Sequence, residues 1–218
     1  MSTEHRNILT AFQPAKEISD PKRFAGRKAE LEAGAELLAS KDHIFIYGPR
    51  GIGKSSLAKQ LEIIAKGNSE LLEEIDSPLN EMKFSFATCF LTRDASVTNI
   101  NQLLYRLMID HEGFEKFSGL FHRFGNVPNY NAGQQLDAKL VADFWKRAVA
   151  ISESADDGLL IFVDEFELIQ HHDGFSSLLK AAPKGVIFAI TGIATTEREL
   201  VRDHKSIDRQ LDTGKLPV

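Results

Sequence analysis

The apolar positions of this chain fall into short continuous runs, separated by longer stretches in which they recur at helical spacing. His43-Ile44-Phe45-Ile46-Tyr47 is one such run and ends at Gly48, while Leu159-Leu160-Ile161-Phe162-Val163 is closed by two acids. Further strands are predicted over roughly Phe84 to Leu91 and over Val186 to Ile190. Runs without polar alternation indicate strands buried on both faces, as in parallel sheets. Between them, the spacing predicts helices over Arg27 to Leu38, from Lys54 with Leu57, Leu61 and Ile64 on one face, over Val97 to Ile109, and over Asp137 to Ser154 with Leu140, Phe144 and Val149 inward. Gly174 to Ala182 and Thr195 to Arg202 add helices on either side of the fourth strand. Strands alternating with helices predict an α/β fold. Residues 1–21, polar and carrying Pro14 and Pro21, read as a linker or arm ahead of one domain over 22–218.

Composition narrows the class. At 218 residues, with 43% hydrophobic and 26% charged positions, the chain has the make-up of a globular domain with a sizeable core. A formal net charge of -5 argues against a surface that coats nucleic acid or anionic lipid by charge alone, although a local basic patch is compatible with it. The lone Cys89 excludes an intrachain disulfide and any multi-cysteine metal site. Residues 1–12 carry charge and no apolar core, unlike a signal peptide, and every apolar run falls short of the roughly 18 residues of a membrane span. The expectation is a cytoplasmic protein without membrane contact.

Candidate chemistry centres on Gly48-Pro49-Arg50-Gly51-Ile52-Gly53-Lys54-Ser55, followed by Ser56, which matches the phosphate-binding loop pattern between a predicted strand and a predicted helix. Glycines let the backbone curl so that successive N–H groups converge on an anion, and the helix adds its positive N-terminal end. Lys54 would reach the β- and γ-phosphates and the Ser55 hydroxyl would ligate magnesium. The competing reading is a glycine turn that binds nothing.

At the end of the third strand, Asp164 would hold magnesium and Glu165 would polarise an attacking water, since carboxylates at strand C-terminal ends face the ligand crevice of open α/β sheets. A helix-capping role is the plainer alternative for both. Glu167 is expected to be exposed and is left out of the site. Thr191, at the tip of the fourth strand, offers a hydroxyl to water or to the γ-phosphate; a turn-forming Thr-Gly pair is its rival explanation. The fourth strand is expected between the strands that carry the loop and Asp164.

These three motifs in this order resemble the AAA+ class of P-loop ATPases, in the branch with origin-recognition-like and STAND-like members. The upstream Phe24-Ala25-Gly26-Arg27-Lys28-Ala29-Glu30-Leu31 is similar to that family's Phe-x-Gly-Arg-x-x-Glu-Leu box. The resemblance spans about Pro14 to the C-terminus. It implies a three-layer sandwich around a five-stranded, mostly parallel sheet, binding of ATP with Mg2+, and hydrolysis within a homo-oligomer or with partner subunits. It also implies that Phe24 and Ile18 flank the adenine, and that an arginine reaches a neighbouring subunit's nucleotide. Within Asp203 to Leu211, Arg209 is the best match for that arginine and Arg202 the second. Gly214-Lys215-Leu216-Pro217-Val218 resembles the family's fifth strand, after which a small helical lid would begin, so the chain reads as the base subdomain without its lid.

Other features have plain readings. Cys89 reads as a small buried hydrophobe and Trp145 as core. His171-His172 lacks metal-site spacing and reads as a polar loop or helix end. Phe114, Phe117, Phe121 and Phe124 share one helical face, for core packing or for a partner. Among functions, an ATPase stands beside a nucleotide-gated STAND-like switch with little turnover and a DNA-associated ATPase; a small-molecule kinase is disfavoured by the absence of an arginine-rich lid pattern.

Overall fold

Alternating residues of the central strands go to opposite sides of one sheet, and each side is covered by helices. The computed structural model describes residues 24, 26–92, 96–110, 135–201 and 215–217. In chain order its elements are α1 (Lys28–Ser40), β1 (Ile44–Gly48), α2 (Lys54–Ala65), α3 (Glu70–Glu74), β2 (Phe86–Thr92), α4 (Ile100–Asp110), α5 (Ala138–Ser152), β3 (Gly158–Asp164), a 3-10 turn (Phe166–Leu168), α6 (Phe175–Lys180), β4 (Val186–Ile193), α7 (Glu197–Val201) and β5 (Lys215–Pro217).

The sheet order is β2-β3-β4-β1-β5 and every pairing is parallel. Four strands of five to eight residues carry the sheet, and the fifth is a three-residue edge segment against Phe45 to Tyr47. The expected five-stranded sheet is therefore met by four full strands and a short fifth. β4 lies between β1 and β3, as the strand pattern suggests, with Ile46 paired to Thr191 and Phe162 to Ala189.

On one side Ile44, Ile46, Leu160, Phe162, Ile187 and Ala189 pack under α1, α2 and α3 through residues such as Leu31, Leu57, Leu61 and Leu72. On the other, Phe45, Leu159, Ile161, Val163, Phe188 and Ile190 meet α4, α5, α6 and α7. Burying such a side chain contributes roughly 1.5–3 kcal/mol against the entropy of ordering it. Cys89 is buried as expected, and burial pushes its thiol pKa well above the usual value. Trp145 is half-buried against the second face.

The boundaries differ from the sequence pattern where local bonds decide them. α4 begins at Ile100 rather than Val97 because the Asn99 side chain accepts from the Gln102 N–H at 3.0 Å. α5 starts after Asp137, whose carboxylate accepts from the N–H groups of Lys139 and Leu140, a cap worth about 1 kcal/mol. β4 continues to Ile193, so Thr191 and Gly192 belong to the strand rather than to a turn. His172 lies in the loop before α6, as the pattern suggests, but is buried there, with Nδ1 against the Val201 carbonyl and Nε2 against that of Ile169. The phenylalanine stretch Phe114 to Phe124, Ile18, and the tract with Arg202 and Arg209 lie outside the described residues. Among the described residues no helix is long and apolar enough to cross a membrane.

Candidate functional site

The parallel sheet brings the loop after β1, the acids after β3 and the end of β4 to the same edge. Gly51 and Gly53 have φ of 82° and 89°, a left-handed backbone that other residues rarely adopt, and a Cβ at either would meet nothing within 4 Å. These glycines are required by the curl of the chain, and the space over them is open. Pro49, Arg50 and Gly51 are exposed, Ile52, Gly53, Ser55 and Ser56 are half-buried, and Gly48 closes β1 in the interior.

Lys54 opens α2 directly behind this curl. Its side chain is buried, and Nζ donates to the carbonyls of Gly48 at 3.1 Å and Pro49 at 2.8 Å. Burial lowers the lysine pKa, Glu167 and then Asp164 act to raise it, and Arg27 lowers it. An ammonium held by two neutral carbonyls inside a ring of opposed charges is poised for an anion.

Arg27 is a site residue that the sequence reading passed over, although it stands in the quoted box. With φ of 57°, it caps the start of α1 and turns its guanidinium onto the loop, where Nη2 donates to the Ile52 carbonyl. Nη1 pairs with Glu30 at 3.2 Å. Phe24, from the same box, is half-buried against the cluster under α1 and α2.

Asp164 is 3% exposed and ends β3. Thr191, 0% exposed, donates its hydroxyl to Asp164 Oδ1, which also accepts from the Glu165 N–H at 3.0 Å. Thr191 is thus brought to the site, though its hydroxyl is engaged with the aspartate rather than turned to open space. Oδ2 of Asp164 makes neither bond, which suits a metal-bound water. Glu165 is exposed and left-handed at φ 56°, immediately before the 3-10 turn.

Glu167 departs from expectation. It is half-buried, and its Oε2 is buried without a hydrogen-bond partner. A Cβ on Gly192 would lie 2.7 Å from that oxygen and 3.3 Å from the Glu167 nitrogen. The left-handed Glu165 turns the chain, so the residue two positions on faces back toward β4. No local pattern in the sequence signals this, because it depends on the 3-10 turn and on the missing side chain at Gly192. Among the described residues no cluster of three or more His, Cys, Asp or Glu forms a self-sufficient metal site. A magnesium ion here would need phosphate oxygens, Ser55 and Asp164 together, and that donor set of oxygens suits it.

No family model and no curated protein matches the chain. Among solved structures, a Walker-type ATPase of Pyrococcus abyssi resembles it with a TM-score of 0.48 and 15% identity, over 82% of this chain and 48% of that one. The chain therefore spans about half the length of that protein.

Proposed function

We propose that the chain binds ATP with magnesium in the loop from Gly48 to Ser55 and hydrolyses it, as an AAA+-type nucleotide-binding domain working in an oligomeric assembly. The observation that carries this reading is Lys54: its buried ammonium rests on two loop carbonyls beside Asp164, behind an open backbone curl. Its own third donor and the loop N–H groups suit the β- and γ-phosphates. Ser55 and Asp164 would hold the magnesium, which would neutralise phosphate charge. Thr191 keeps the Asp164 carboxylate oriented, and Glu165 accepts the proton of the attacking water. Phe24 and Ile18 flank the base in this reading, and Arg209 reaches a neighbouring subunit's nucleotide.

A second reading, a nucleotide-gated switch with little turnover, draws on the exposure of Glu165 in the single chain. A base open to bulk water lacks the dry, preorganised surroundings that make such groups effective. A neighbour closing over it would supply them. Phosphate release measured against protein concentration separates the two: turnover per chain that climbs as assemblies form supports the ATPase, and a flat rate near zero with intact ATP binding supports the switch. DNA association finds no support in the net charge of -5.

A further inference from the structure

One acceptor of the site stands without a donor: Glu167 Oε2, buried and with no hydrogen-bond partner among the described residues. Native interiors rarely leave such atoms unmatched, so this one calls for a donor that the described residues do not supply. The surroundings say what kind. Gly192 leaves the volume that the carboxylate occupies, since a Cβ there would crowd both Oε2 and the Glu167 backbone. Its negative charge favours the charged Lys54 ammonium more strongly than that of Asp164 does. A bare phosphate brings only acceptor oxygens and negative charge, which a carboxylate repels. A water polarised by a bound cation is a strong donor and carries the compensating charge with it.

We propose, resting on the reading that this loop binds ATP with magnesium, that Glu167 is a positioning residue whose buried Oε2 accepts a hydrogen bond from a cation-bound water, so that the site prefers magnesium-loaded over free triphosphate. This role is distinct from that of Glu165, which is exposed. Outer partners of this kind change metal affinity by roughly 10- to 100-fold when removed.

The test is isothermal titration calorimetry of the wild-type chain, Glu167→Gln and Glu167→Asp with ATP, in Mg2+ and in EDTA, with thermal unfolding as the folding control. Glu167→Gln keeps the shape and loses the charge; its affinity in Mg2+ is expected to fall roughly tenfold, while affinity in EDTA holds or tightens. Glu167→Asp keeps the charge but falls one methylene short, and is expected to lose affinity in Mg2+ without the gain in EDTA; it carries the test alone if Glu167→Gln does not fold. Equal ratios of the two affinities in wild type and in the folded variants overturn the role of Glu167 and leave the nucleotide reading standing. A wild-type chain that binds ATP in neither condition overturns the nucleotide reading itself, and this inference with it.

Discussion

The guanidinium of Arg27 donates to the carbonyl of Ile52, so the residue that opens the first helix also holds the glycine loop. The bond spans 25 positions of sequence and crosses from one connection to another, where neither is fixed by a strand. Charge-assisted bonds to a carbonyl contribute roughly 1.5–3 kcal/mol when partly buried. Arg27→Ala is expected to weaken ATP binding about tenfold and to lower the melting temperature by a few degrees, in keeping with the bond it loses. Titration calorimetry beside a melting curve checks it; unchanged affinity would show that the loop holds its shape unaided.

Lys54→Ala removes the only side-chain cation that the loop itself buries, and the loop carbonyls of Gly48 and Pro49 lose their donor. Triphosphate affinity is expected to drop by two orders of magnitude or more, in line with about 3 kcal/mol for a charged hydrogen-bonding partner. Fluorescent-nucleotide displacement reads this directly. Retention of wild-type affinity would place the nucleotide elsewhere.

Thr191→Val keeps the side-chain volume and deletes the hydroxyl that Asp164 Oδ1 accepts from. A buried carboxylate that loses one donor costs about 1–3 kcal/mol, and its free rotation would also disturb the site. The variant is expected to melt lower and to hydrolyse ATP at least tenfold more slowly with KM little altered. A variant that melts lower but turns over at the wild-type rate would confine Thr191 to a structural role.

His43 predicts an acid-sensitive fold. Its Nδ1 accepts from the Phe188 N–H at 3.0 Å and its Nε2 donates to the Leu179 carbonyl at 3.1 Å, which requires the neutral ring. Burial lowers its pKa below the ordinary 6.5, against smaller raising effects from the Leu179 bond and Asp42. A histidine whose folded pKa is depressed contributes stability that is present above the unfolded pKa and is lost as pH falls through the folded one. Chemical denaturation between pH 7.5 and 4.5 is expected to show wild-type stability declining below about 6.5, with a shallower decline in His43→Gln. Parallel slopes for the two proteins would assign the acid loss to other groups.

Much of this fold is legible in the order of residues because its strands are buried on both faces. Leu159 to Val163 or Ile44 to Ile46 can be nothing but interior, and the glycine loop announces its own backbone. What stays hidden depends on contacts between distant segments. Thr191-Gly192 has the local chemistry of a turn, yet pairing with Ile46 and Tyr47 holds it in the strand. Glu167, a charged residue just after the Asp164-Glu165 pair, reads as solvated; only the turn at Glu165 and the space at Gly192 bring it inward. His172 is similar, since the carbonyl of Val201 that receives it lies 29 positions away.

The placement of β4 also acts as a gauge. Neighbouring strands stand about 4.8 Å apart, so the strand that feeds the glycine loop and the strand that ends in Asp164 are held roughly two spacings, about 9.5 Å, from each other. A strand inserted there would set lysine and aspartate too far apart to grip one anion, and a strand removed would press them together into a closed ion pair. The width of the site is thus set by the backbone of a strand that adds one hydroxyl to it, that of Thr191 on Asp164. Near its end Thr191 reaches Asp164, and Gly192 leaves room for Glu167 and Leu200.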